Sequence, residues 1–232
     1  MKTLFLLLLT LSFSAANWQY AVDFSSPASP AQLSCLLNLK YRTVIPRVSA
    51  PNGEVDLYGI DTILAGEPLG MGPGSFGYIT PNVGLPDGSL QVDKLNSALI
   101  NSGLGWLSCF IQVTKSSAQW SNDPAANLAL INSMINRGAQ LGRYFMILTS
   151  FSDWVSITGN SKTIAGAYAG RTALWYSNVH GPGVTGESPP NYSDFTSFGP
   201  FKADNITMKQ FATSEYLCGL LVNRSVFWAK NN

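Results

Sequence analysis

Apolar positions along the chain alternate between two rhythms, short dense runs and longer stretches with apolar residues every three or four positions. Tyr20–Phe24 is a short apolar run, and Ala31–Lys40 follows with Leu33, Leu36 and Leu37 at helical spacing. Tyr41–Val48 returns as a strand centred on Thr43, Val44 and Ile45, and Asp56–Ala65 presents Ile60, Ile63 and Leu64 on one helical face. Phe76–Thr80 predicts a third strand and Gln91–Asn101 a third helix, with Leu95 and Leu99 inward. The run from Trp106 to Val113 has the apolar density of a strand covered on both faces, and it opens into the polar Thr114-Lys115-Ser116-Ser117. Asp123-Pro124 supplies an N-cap and a proline at the first helical position, after which Leu128, Ile131, Met134 and Ile135 keep helical spacing. Tyr144–Leu148 is a further strand, with Thr149 and Ser150 at its exit.

Strand and helix thus alternate about four times, a pattern whose physical solution is a parallel sheet with right-handed crossovers. Beyond Ser150 the rhythm breaks. Ala173–Tyr176, Met208–Phe211 and Leu217–Trp228 read as strands joined by long Gly, Pro, Ser and Asn loops. The expected fold is α/β, an irregular TIM-like β/α barrel with helices in its first half and mostly strands and loops in its second. Such barrels place their chemistry where strands end and loops begin, which directs attention to Gln112 and the polar exit that follows it.

The first 16 residues do not belong to that rhythm. Met1-Lys2-Thr3, the apolar Leu4–Phe13 and Ser14-Ala15-Ala16 form a secretory signal with a small-x-small cleavage site, leaving residues 17–232 as one domain. Loss of Lys2 leaves 13 basic against 13 acidic residues. A neutral surface argues against nucleic acid or an anionic membrane as the main partner. Charged residues make up 12% of the chain against a usual value of about 25%, so neutral polar partners such as glycans fit better. A monomer is expected, with no membrane association after signal cleavage.

Secretion changes how the cysteines and asparagines read. Cys109 lies in an apolar run where a buried thiol is expected, which leaves Cys35 and Cys218 to pair and tie the two ends of the chain together. Asn191-Tyr192-Ser193, Asn205-Ile206-Thr207 and Asn223-Arg224-Ser225 are glycosylation sequons.

Candidate chemistry is limited by absences. His180 is the only histidine, so neither a histidine-based metal cluster nor a Ser-His-Asp triad is indicated, and no cofactor is expected. Among the carboxylates Asp23 stands at a predicted strand end, as a barrel enzyme requires. Asp153 lies after a strand but suits a turn or cap, and Asp194 and the others read as solvated or capping groups. Trp106, Trp120, Trp154, Trp175, Tyr176 and Tyr78 fall near strand ends, where aromatic faces can stack on sugar rings.

Tyr20-Ala21-Val22-Asp23-Phe24-Ser25, Trp120, Thr149-Ser150 with Trp154, Leu174-Trp175-Tyr176, Ser193-Asp194-Phe195 with Phe198-Gly199, and Lys209-Gln210-Phe211 with Cys218-Gly219 occur in the order and spacing of a known family. The chain resembles glycoside hydrolase family 25, and more narrowly its secreted lysozymes of invertebrate and amoebal type. The resemblance implies hydrolysis of the bond between N-acetylmuramic acid and N-acetylglucosamine in peptidoglycan. It implies an aspartate at the end of the first strand, matched by Asp23, and an Asp-x-Glu pair at the end of the central one. Gln112 stands at that aspartate and Thr114 at the glutamate. Phe76 stands at an acidic position of the third strand, and Asn223 at a late aspartate. Tyr78, Trp175, Tyr176 and Gln210 are the implied glycan contacts. Three readings follow: a catalytically impaired glycan-binding protein of innate defence, a muramidase whose acid is Asp23 or Asp153, and a non-catalytic structural or protein-binding domain.

Overall fold

In the computed structural model, which describes residues 18–71, 76–85, 87–166 and 172–229, eight strands close into a barrel in chain order. The strands are β1 (Trp18–Phe24), β2 (Tyr41–Ser49), β3 (Gly77–Ile79), β4 (Cys109–Gln112), β5 (Phe145–Thr149), β6 (Leu174–Ser177), β7 (Ile206–Leu217) and β8 (Leu220–Trp228). Neighbours are parallel from β1 to β7, and β8 runs antiparallel to both β7 and β1. The helices are α1 (Pro30–Asn38), α2 (Leu57–Gly66), α3 (Ser89–Asn101), α4 (Pro124–Gln140) and α5 (Phe151–Thr158). The expected signal segment, residues 1–16, lies outside the described residues.

Local sequence explains where the helices start. Ser29 and Gln32 close a reciprocal capping box on α1: the Gln32 backbone N–H donates to Ser29 Oγ at 3.3 Å, and Ser29 N–H donates to Gln32 Oε1 at 2.9 Å. Asp123 caps α4 by accepting from Ala125 N–H at 2.9 Å, with Pro124 at the first helical position. Helix α2 packs directly on the backbone of β2. A Cβ on Gly59 would lie 1.7 Å from the Arg47 carbonyl oxygen, so only glycine permits this approach.

Alternation along the strands separates two cores. Phe110 of β4 points into the barrel with Ala21, Ile45, Tyr78, Met146 and Trp175. Cys109 and Ile111 point outward into the larger core beneath α3, α4 and α5. Cys35 in α1 and Cys218, in the turn between β7 and β8, form a disulfide with S–S 2.02 Å. Cys109 is a buried free thiol.

The structure departs from the sequence reading at four places. Trp106 does not start a buried strand: β4 begins at Cys109, and Trp106 sits 52% exposed on the preceding turn. A helix, α5, occupies residues read as loop. Ser150 caps it by accepting from Asp153 N–H at 3.0 Å, and Gly159 at φ 64° ends it. With only Trp154, Ile157 and Thr158 buried, this helix is too short for periodicity to distinguish it from a turn. Strand β7 is longer than Met208–Phe211, because β8 pairs with it out to Leu217. Cys218 therefore lies before the last strand, at φ 55° in the hairpin turn.

Candidate functional site

The C-terminal ends of β4, β5, β6 and β7 and the start of β8 surround a groove of about 870 Å³. Its floor and walls are built from amides, hydroxyls and aromatic rings, and β4 delivers Gln112 and Thr114 to it. Gln112 Oε1 accepts from Thr80 Oγ1 at 2.8 Å, which holds the amide against β3. Thr114 is 8% exposed, with its hydroxyl 3.4 Å from Ser116 Oγ, while its carbonyl accepts from Trp120 Nε1 at 2.9 Å. No carboxylate stands at the end of β4.

Asp23, near the end of β1, lies beneath the groove lining and is 3% exposed. Gln210 Nε2 donates to its Oδ1 at 3.0 Å and Asn223 Nδ2 to its Oδ2 at 2.7 Å. Burial outweighs these hydrogen bonds and pushes the Asp23 carboxyl up to about 6. Gln210 is held in turn by Ser177 Oγ, 2.9 Å from its Oε1. Gln210 and Asn223 both line the groove, so they form a polar layer between Asp23 and whatever the groove holds.

Two other carboxylates face the groove, and both are engaged. Asp153 accepts from Ser150 Oγ at 2.9 Å and from the Lys115 backbone N–H at 3.1 Å, pinning the loop after β4 to the start of α5. Asp194 is not the solvated group its loop position suggested. It accepts from Tyr176 Oη at 2.7 Å, Asn178 Nδ2 at 2.9 Å and Lys209 Nζ at 2.5 Å. Burial pushes Asp194 up, but the bonds from Lys209 and Tyr176 and the lysine's charge prevail and hold it below the ordinary carboxylate range. Lys209 has a fully buried side chain, and burial lowers its pKa despite Asp194.

The expected glycan contacts divide. Tyr176 and Gln210 line the groove. Trp175 is a correction: its ring is 0% exposed inside the barrel, edge-on to Phe110 at 5.0 Å, with Nε1 donating to Ser225 Oγ at 3.0 Å. It offers no face for stacking. Tyr78 is 7% exposed in the same interior layer, where burial raises its hydroxyl pKa well above the ordinary value. The aromatic wall that the groove does present was not read from the sequence. Phe151 is 58% exposed and meets Phe198 edge-on at 5.8 Å, and Phe195 links Phe198 to Tyr176 at centroid distances of 6.0 and 5.1 Å. The run Ser193-Asp194-Phe195 with Phe198 was the available signal, since one loop carries four of the lining residues, Asp194, Phe195, Thr196 and Phe198.

Among the sequons, Asn223 is the one whose side chain is engaged at the barrel seam. Its Nδ2, the atom a glycan would be joined to, is given to Asp23, and Ser225 of the triplet is 0% exposed. Asn191 is partly exposed in a loop and Asn205 partly exposed at the end of a 3-10 turn, Ala203–Asn205. His180 is exposed in its loop, and among the described residues no group of three or more His, Cys, Asp or Glu is arranged to hold a metal.

The comparisons with known proteins agree with this architecture. The family model described as Lysozyme-like protein 1 matches residues 14–211. Lysozyme-like protein 2 of Caenorhabditis elegans is 40% identical over 215 residues, covering 91% of this chain and 74% of that protein. The probable GH family 25 lysozyme 4 of Dictyostelium discoideum is 29% identical over 225 residues, covering 94% and 95%. In three dimensions the muramidase from Trichobolus zukalii superposes with a TM-score of 0.65 at 20% identity, over 91% of this chain and 94% of that one. On this family match, and with the barrel and groove to go with it, the chain belongs to the lysozyme-like proteins of glycoside hydrolase family 25.

Proposed function

We propose that this protein is secreted and binds the sugar chain of peptidoglycan or a related glycan in its groove, in a defensive role, with hydrolysis impaired. The observation that carries this reading is the end of β4, which brings Gln112 and Thr114 and no carboxylate to the groove, at the two positions that the resemblance assigns to the family's Asp-x-Glu pair. Gln112 keeps the hydrogen bonding of a polar pocket residue but cannot ionise to stabilise an oxocarbenium-like transition state. Thr114 has no carboxyl proton to give a departing sugar oxygen. Loss of a general acid alone costs about 10²- to 10⁴-fold. Asp194 is held ionised by Lys209 and does not serve as a proton donor, and Asp153 is engaged by the Ser150 hydroxyl and the Lys115 amide.

What remains in the groove suits binding. Amides and hydroxyls match sugar hydroxyls, and the Phe151 ring offers an exposed apolar face at the rim. The Cys35–Cys218 disulfide fits an oxidising compartment, and no described helix is long and apolar enough to cross a membrane.

One observation favours a second reading, a working muramidase with a rearranged acid. Asp23, with its pKa near 6, holds a proton at mildly acidic pH as a general acid must. Against it, Gln210 and Asn223 stand between that carboxyl and the groove.

A cell-wall clearing assay run beside a pull-down on insoluble peptidoglycan separates the readings. The native protein is expected to be retained without clearing the suspension, and the Gln112→Asp/Thr114→Glu double variant to gain measurable clearing. Clearing by the native protein that Asp23→Asn abolishes would establish the second reading. Absence of retention on peptidoglycan and on chitin-type oligosaccharides would overturn both.

A further inference from the structure

Asn223 lines the groove, and Arg224, the next residue of β8, lines a second cavity of about 550 Å³. Successive side chains of a strand point to opposite faces, so the two cavities lie on either side of the β7–β8 ribbon, with Ser214 common to both rims. Nothing in the glycan-binding reading uses this second cavity.

Its polar floor is a charge cluster. Arg224 Nη1 donates to Glu187 Oε1 at 2.6 Å and to Glu215 Oε2 at 3.0 Å, and Arg224 Nε donates to Tyr41 Oη at 2.6 Å. One guanidinium faces two carboxylates, which leaves a net negative charge. The Glu215 side chain is 5% exposed, and its Oε1 has no hydrogen-bond partner among the described residues. A buried carboxylate oxygen without a donor is costly, and a cluster built only for stability would satisfy it. Around this floor the walls are apolar and open: Leu39 is 50% exposed, Val184 72% and Tyr216 78%.

We propose that this cavity binds a primary ammonium group on an unbranched apolar stem, the chemistry of a lysine-type side chain. The ammonium is held by the two carboxylates, the more exposed Glu187 in contact and the buried Glu215 beneath it, and its methylenes lie on Leu39, Val184 and Tyr216. The charge balance selects a cation over an anion. The geometry selects ammonium over guanidinium, because a planar fork needs two parallel acceptors and Arg224 already occupies one oxygen of each carboxylate. An ammonium, with three freely rotating donors, needs only one.

The test is an NMR titration of the purified protein at low salt with Nα-acetyl-lysine amide. Nα-acetyl-norleucine amide serves as the uncharged control and Nα-acetyl-arginine amide as the guanidinium control. Saturable shifts are expected at the amides of Val184 and Tyr216 with the lysine probe, with binding of the other two weaker by about tenfold or more, the loss of one charge-assisted hydrogen bond. Glu215→Gln should weaken the lysine probe by a similar factor. Glu187→Gln, at a more exposed side chain, should weaken it several-fold and keeps the test decisive if the Glu215 variant does not fold. Equal binding of lysine and norleucine probes, binding unchanged in the folded variants, or no saturable shift with the lysine probe would each overturn the proposal. Retention on peptidoglycan by Glu187→Gln is expected to match that of the native protein, so failure here is separable from failure of the groove reading.

Discussion

Asn223 Nδ2 donates to Asp23 Oδ2 at 2.7 Å, joining the last strand to the first where the two residues are antiparallel register partners. Gln210 of β7 donates its Nε2–H to the other oxygen, so the Asp23 carboxyl is held by side chains from two neighbouring strands. The barrel seam and the candidate site are built from the same hydrogen bonds.

Because burial raises the Asp23 pKa to about 6 from an ordinary 3.8, the folded state binds this proton more tightly than the unfolded chain does. Its contribution to stability is complete below about pH 4 and is lost as pH rises through 6. The linkage amounts to on the order of 3 kcal/mol. Urea unfolding at pH 4 and pH 7 should show that loss in the native protein relative to Asp23→Asn. A carbon-13 titration of the Asp23 carboxyl should have its midpoint near 6, and a midpoint near 4 would contradict the burial account.

Lys209 and Asp194 form a pair in which the lysine side chain is wholly buried and the aspartate partly so. Asp194→Asn leaves the ammonium without its counter-charge and should cost about 3 to 5 kcal/mol in unfolding free energy. Asp194→Asn/Lys209→Met removes both charges and should recover most of that loss. Equal destabilisation by the single and double variants would mean that the aspartate acts through Tyr176 and Asn178 instead.

Phe151 is exposed at the groove rim and meets the Phe198 ring edge-on. Phe151→Ala should lower affinity for a peptidoglycan fragment by roughly tenfold, the worth of one stacked ring, while leaving thermal stability within a few degrees. Isothermal titration beside a melting curve reads both quantities. Unchanged affinity would remove the ring from the binding surface.

The Cys35–Cys218 bridge spans 183 residues of sequence, so its removal frees nearly the whole chain in the unfolded state. In the chain-entropy account that is worth about 5 kcal/mol at most. Cys35→Ser/Cys218→Ser should therefore melt well below the native protein. Cys109, which burial pushes up to about 12, should stay unreactive to thiol reagents until unfolding.

Much of the barrel is local chemistry and was legible without coordinates. The apolar runs of β2 and β5, the helical spacing of Leu33 and Leu36, and the Asp123-Pro124 start of α4 each act within a few residues. Helix α5 was not legible, because eight residues with a serine cap satisfy a turn as well as a helix until Trp154 and Ile157 find a core to enter.

The candidate site divides on the same physical line. Sequence alone determined that Asp23 lies near a strand end, that β4 carries Gln112 and Thr114 and no carboxylate to its end, and that charged residues are few. Tertiary structure alone decided that Trp175 is buried and Phe151 exposed, since exposure depends on which elements close over a ring. It alone joined Asp23 to Asn223 and Gln210, which are 200 and 187 positions away in sequence. It also made Lys209 the partner of Asp194. Hydrogen bonds and ion pairs act over about 3 Å, and no periodicity along the chain encodes which distant side chains barrel closure brings within that reach.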